Sequence, residues 1–152
     1  MYFCCLLAKL NNMTNKVTTN WKGGMTFESD NPSGKTVIMD TKVDGIDEQF
    51  GLNPKATMLS SLAACTGIDV IMVLDKMKVE LEDFRMDVSG ELTDEHPKYY
   101  HKVSVDYHFY GKDLNPKKIE KAVNLSKDKY CGVMEMFRHF AKIETAIHMH
   151  EA

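Results

Sequence analysis

Two cysteines stand inside the patterned body of the chain, Cys65 and Cys131, and a thiol is the side chain best suited to combined nucleophilic and redox chemistry. Two more, Cys4 and Cys5, fall in an apolar opening, MYFCCLLAKL. That opening has no basic n-region and no small-residue cleavage site, so it reads poorly as a secretory signal. A reducing, cytoplasmic setting is therefore expected, in which cysteines serve as reactive or buried thiols and not as a disulfide framework. Cys65 lies midway in an apolar stretch and by itself reads as a small core side chain, with the Asp69 carboxylate one helical turn later on the same face. Cys131 differs. It falls in the first turn of a helical segment, where unpaired N–H groups and the helix dipole favour a thiolate, and Lys127 and Lys129 add positive potential. Local rules make Cys131 the more activated thiol.

The remaining chemistry-bearing residues form weaker constellations. His148 and His150 flank Met149 and would point the same way from a strand, but two histidines without a third ligand are poor evidence for a metal centre. His96 and His101 flank a turn, and His139 sits beside Arg138 in a surface position. The pair Gly23-Gly24 is a turn and not a phosphate loop, because no helix start follows it. No metal and no cofactor are expected.

Composition narrows the partners. The net charge is −3, from 19 basic and 22 acidic residues dispersed along the chain, so no block of charge steers it onto nucleic acid or an anionic membrane. The longest apolar candidate, Met58 to Leu74, is interrupted by Ser60, Ser61, Thr66 and Asp69 and falls short of the ~20 residues of a bilayer span. No membrane association is expected. At 152 residues the chain suits one domain, taken as 13–152. Residues 1–12 are expected to be an N-terminal extension or to precede a true start at Met13.

The elements that must position the cysteines follow from periodicity. Val17, Thr19, Trp21, then Met25 and Phe27 alternate around Gly23-Gly24 as two strands joined by a tight turn, and Asn31 to Gly34 turns the chain into a third strand, Lys35 to Asp40. The polar stretch from Thr41 to Asn53 is expected to be a surface loop. Asn53-Pro54 then opens a long helix, about 54–77, apolar nearly all round and so expected to be central, buried and covered by sheets on both sides or by a second subunit. Period-two alternation returns over Phe84 to Val88 and Val103 to Phe109, each with one wet face. Asn115-Pro116 opens a second helix to about 125, Ser126 to Lys129 is a polar connection, Cys131 begins another helix, and Ile143 to Met149 is a last strand.

The segments NPKATMLSSLAACTGIDVIMVLDKMK around Cys65 and KYCGVMEMF around Cys131 together resemble the OsmC/Ohr family, named for osmotically induced protein C and organic hydroperoxide resistance protein. The first cysteine of that family lies mid-helix after an Asn-Pro-like start and a run of small residues, as Asn53, Pro54, Ala63, Ala64 and Cys65 do; the second lies in a Lys-Tyr-Cys-like motif, matched by Lys129, Tyr130 and Cys131. The resemblance runs from about Thr18 to about Ile147. It implies an α+β, OsmC-like fold with two antiparallel sheets around a long buried central helix, an intertwined homodimer, and sites at the subunit interface.

It also implies a function: a thiol-dependent peroxidase reducing organic hydroperoxides or related oxidants, in which Cys65 becomes a sulfenic acid and Cys131 resolves it as a disulfide, recycled by a thiol reductant. Family peroxidases carry a Glu just after the Asn-Pro and an N-terminal Arg; this chain has Lys55 at the first position and no Arg before Arg85. Lys55, Glu48 and Arg138 are the candidate substitutes. A lysine is less directional than an arginine fork, so a different substrate preference follows. The alternative expectation is a non-catalytic OsmC-like dimer that binds a small hydrophobic ligand or senses redox state.

Overall fold

Ten elements carry the chain, in a computed structural model that describes residues 14–42 and 49–151. They fall into two compact units, one up to Pro54 and one from Lys55 onward. The proposed extension, residues 1–12, lies outside the described residues, as do Glu48, Cys4 and Cys5.

In the first unit β1 (Thr19–Gly23), β2 (Thr26–Asp30) and β3 (Thr36–Met39) form an antiparallel meander. Gly23 and Gly24 take φ of 106° and 54° between β1 and β2, a conformation that costs glycine nothing and makes the turn possible. Trp21 pairs with Phe27, and Phe27 in turn with Met39. The chain then returns alongside β3 through backbone bonds from Leu52 N to Ile38 O and from Asp40 N to Leu52 O, both 2.9 Å. Gly51 permits this approach, since a Cβ there would lie 2.7 Å from the Ile38 carbonyl oxygen.

The second unit is built on α1 (Pro54–Lys76) and a sheet of β4 (Asp83–Leu92), β5 (Tyr100–Tyr110) and β6 (Lys142–His150) in that order. β4 and β5 are antiparallel, with Phe84 opposite Phe109 and Met86 opposite Tyr107. β6 is parallel to β5. The expectation of two antiparallel sheets thus holds for the first sheet, whereas the second is mixed. The reason is the crossover: α2 (Pro116–Leu125) and α3 (Gly132–Arg138) carry the chain back before β6 begins, as a parallel connection requires. Asn115 starts α2 as its sequence suggests, its side chain accepting from Lys118 N at 3.2 Å with Pro116 behind it.

The inner face of this sheet presents Val103, Val105, Tyr107 and Phe109, and against it pack Leu62, Val70 and Leu74 of α1, Ile119 and Val123 of α2, and Met134 and Phe137 of α3. Each such side chain contributes about 1.5–3 kcal/mol on burial. α1 closes on β4 over Gly67, where a Cβ would sit 3.0 Å from Met86 Sδ.

α1 is expected to be covered by sheets on both sides or by a second subunit, and within this chain one side of it is covered. Leu62, Thr66, Gly67, Val70, Val73 and Leu74 are buried, while Ile68, Ile71 and Met72 on the other side are exposed. An apolar sequence sets what a helix can bury; one sheet face covers one side of it. With 23 residues, α1 also reaches the length and apolar composition of a bilayer span, contrary to the sequence expectation. Its buried side lies on the sheet and carries a hydrogen-bonded threonine, the arrangement of a core helix.

Candidate active site

α1 presents Cys65, Thr66 and Asp69 within little more than one turn, on the side that meets the sheet and the crossover. The crossover supplies Cys131. Between α2 and α3 the backbone widens into a single π-type turn, Ser126–Tyr130, closed by a bond from Cys131 N to Ser126 O at 2.9 Å. Cys131 then takes an extended conformation and caps α3, its Sγ accepting from Met134 N at 3.3 Å. As a result a cysteine in the middle of one helix and a cysteine at the start of another share one site: ligating atoms of Cys65, Asp69 and Cys131 all lie within 4.8 Å of one another.

A buried hydroxyl chain fixes this meeting. Thr66 Oγ1 is 2.8 Å from Tyr107 Oη and 2.8 Å from Ser126 Oγ, and the Ser126 hydroxyl donates towards Thr66 O at 3.2 Å and Asp69 Oδ2 at 3.3 Å. Ser126 has one proton and spends it on these acceptors. It must therefore accept from Thr66, which in turn accepts from Tyr107, so the donors run Tyr107 to Thr66 to Ser126. Such a chain ties α1, β5 and the wide turn together, and each bond polarises the next. Thr66 and Ser126 are fully buried. The sequence reading missed both, and placed Ser126 in a polar connection; the turn that looks hydrophilic by composition puts its first residue into the core.

The electrostatics of Cys131 also run against the local reading. Burial pushes its thiol up to about 12; the Met134 N–H pulls the other way, and the neighbouring Cys65 and the Asp69 carboxylate push it higher. The helix-start argument identified a real contact, but one N–H does not offset the desolvation of a residue that is only 4% exposed. Tyr107 is likewise raised, first by burial. Cys65, Asp69 and Cys131 have the donor types for a thiophilic metal ion, which the sequence reading did not expect. Metal binding there would have to deprotonate Cys131, against the direction in which its surroundings push it.

Of the candidate substitutes for the missing Glu and Arg, Lys55 and Arg138 fall among the described residues. Lys55 stands ten residues before Cys65 on α1, about 15 Å of helical rise. It lines an apolar cavity of about 280 Å³ with Met58, Lys98, Tyr99, Tyr100 and Phe140. Arg138 borders the same shallow depression as Cys131, but its guanidinium bonds Asp128 Oδ1 at 3.1 Å and Glu135 Oε2 at 3.4 Å. Asp69, which the sequence placed one turn beyond Cys65, is the charged group that does meet the cysteines.

The family model for OsmC-like proteins matches residues 45–146. Protein YhfA of Escherichia coli strain K12 is 28% identical over 123 residues, 81% of this chain and 89% of that protein. Among solved structures, a hypothetical protein from Aquifex aeolicus VF5 superposes with a TM-score of 0.81 at 27% identity, covering 92% of this chain and 98% of that one. The organic hydroperoxide resistance protein OhrB of Bacillus subtilis has the same fold, with a TM-score of 0.63 at 21% identity over 89% of this chain and 98% of its own. Since the family model spans more than half of the sequence and includes both body cysteines, the chain belongs to the OsmC-like family.

Proposed function

We propose that the protein is a thiol-dependent peroxidase that reduces organic hydroperoxides through Cys65 and Cys131. The observation that carries this reading is the meeting of the two sulfurs within 4.8 Å, from elements far apart in sequence. In the first step the Cys65 thiol attacks the terminal peroxide oxygen; the O–O bond breaks, Cys65 becomes a sulfenic acid and the substrate leaves as an alcohol. In the second, Cys131 attacks the sulfenic sulfur and water leaves, forming the disulfide. A thiol reductant then returns both cysteines to thiols. The sulfurs, within 4.8 Å of one another, must close to a bond of about 2.05 Å in this step.

A homodimer in the cytoplasm belongs to the same proposal. Ile68, Ile71 and Met72 are exposed beside an apolar groove of about 490 Å³ shared with Phe84 and Met86, and a second copy of the chain is the cover it suits. The second reading, a ligand-binding or redox-sensing dimer without turnover, is favoured by one observation: the Asp69 carboxylate stands within 4.8 Å of both thiols, where it opposes formation of a thiolate.

The test is to treat the reduced protein with stoichiometric cumene hydroperoxide and follow disulfides by mass spectrometry. Rapid Cys65–Cys131 bridging, with stable sulfenic acid in Cys131→Ser and no oxidation at the site in Cys65→Ser, is the expected result. Thiols that stay free on prolonged exposure would refute turnover and leave the second reading.

A further inference from the structure

The pair His148 and His150, set aside in the sequence for want of a third ligand, is joined on the sheet by His108, which replaces His148 as the neighbour of His150. β6 lies parallel to β5 with His108 opposite His148 and Tyr110 opposite His150. On the outer face this stacks the rings of His148 and His108 with centroids 4.5 Å apart, and those of His150 and Tyr110 4.4 Å apart. It also brings His108 Nδ1 to 3.1 Å from His150 Nε2. The other nitrogen of His108, Nε2, lies 3.2 Å from Asp87 Oδ2, which also takes Arg85 at 2.9 Å. His148 Nε2 is held by Asp106 Oδ1 at 2.8 Å.

We propose that His108 Nδ1 and His150 Nε2 chelate a divalent transition-metal ion of the zinc class on the outer face of the second sheet, with Asp87 as a positioning residue. Metal–nitrogen bonds of about 2.0–2.1 Å, opened to between a square and a tetrahedral angle, hold two nitrogens about 2.9–3.4 Å apart. The observed separation falls in that interval. Asp87 Oδ2 faces His108 Nε2 at 3.2 Å, and a proton kept on that nitrogen leaves the lone pair of the ring on Nδ1, as in the carboxylate–histidine arrangement that orients metal ligands. When His150 carries its own proton on Nδ1, two lone pairs converge on one point. His108 has only 14% of its side chain exposed, so its ring is held in place before any ion arrives. Asp87 and Asp106 set two negative charges around the site against Arg85. Water completes the coordination, and His148, engaged by Asp106, is a stacking wall and not a ligand.

The test is calorimetric titration of the full-length reduced protein with zinc chloride, in a Cys65→Ser/Cys131→Ser variant as well as the wild type, so that the thiol cluster is separated from the histidines. One ion binds in both. His150→Gln abolishes that event while melting at the same temperature, Asp87→Asn weakens it about 10- to 100-fold, and His148→Gln leaves it within about threefold. Binding that disappears with the cysteines, that survives His150→Gln, or that falls equally on loss of His148 would overturn the proposal.

Discussion

Replacing Asp69 by Asn removes a negative charge from beside Cys131 and leaves an amide of the same shape for the Ser126 hydroxyl. The two side chains are within 4.8 Å. At that separation two unit charges interact by about 332/(ε × 4.8), which is about 3.5 kcal/mol at an effective dielectric of 20 and about 0.9 kcal/mol at the value of water. Asp69 is half-buried, and its influence on Cys131 ranks below burial and below Cys65, so the smaller figure governs. It corresponds to a fall of roughly two-thirds of a pH unit in the Cys131 pKa. The thiolate fraction at neutral pH then rises about four- to fivefold, and because a more acidic thiolate is intrinsically less nucleophilic the net gain in rate is about 2- to 2.5-fold. The assay is iodoacetamide alkylation of the Cys131 peptide, read by mass spectrometry across pH, comparing Cys65→Ser with Cys65→Ser/Asp69→Asn. The pH profile should move to lower pH and the neutral rate should rise. An unchanged or slower rate in a variant with native circular dichroism would show that the carboxylate does not act on this sulfur.

Two other outcomes follow from the same site. The folded state holds the Cys131 proton up to about 12 against an ordinary 9.0, so it binds more protons than the unfolded chain in between; this contribution to stability is complete below about pH 9 and lost as pH rises to about 12. Urea unfolding across that window should therefore show a shallower alkaline decline for Cys131→Ala than for the wild type, and parallel declines would contradict the assignment. Thr66→Val keeps the shape but removes the hydroxyl shared by Tyr107 and Ser126, and should cost about 1–3 kcal/mol in urea-derived stability, whereas a change under about 0.5 kcal/mol would mean the buried chain is not structural.

The extent to which the sequence declares this structure depends on the range of the interaction. Short-range rules place almost every element: glycines at the β1–β2 turn, Asn115-Pro116 at the head of α2, and period-two alternation in β4 and β5. The same rules misjudge Cys131 and miss the burial of Ser126, where the answer depends on what packs against them. A capping N–H is visible from sequence neighbours; the desolvation that outweighs it comes from α1 and the sheet.

By itself, then, the sequence determined the two cysteines as the candidate chemistry, the long apolar helix, and an α+β organisation, because residue type and periodicity are local properties. Tertiary structure alone decided that Cys131 meets Cys65 and Asp69, which already share a face of α1, and that β6 runs parallel to β5. That last choice is a matter of chain reversal through α2 and α3, and no periodicity within β6 records its direction. It is also what sets His108 against His148 and His150, joining histidines that the sequence keeps about forty residues apart.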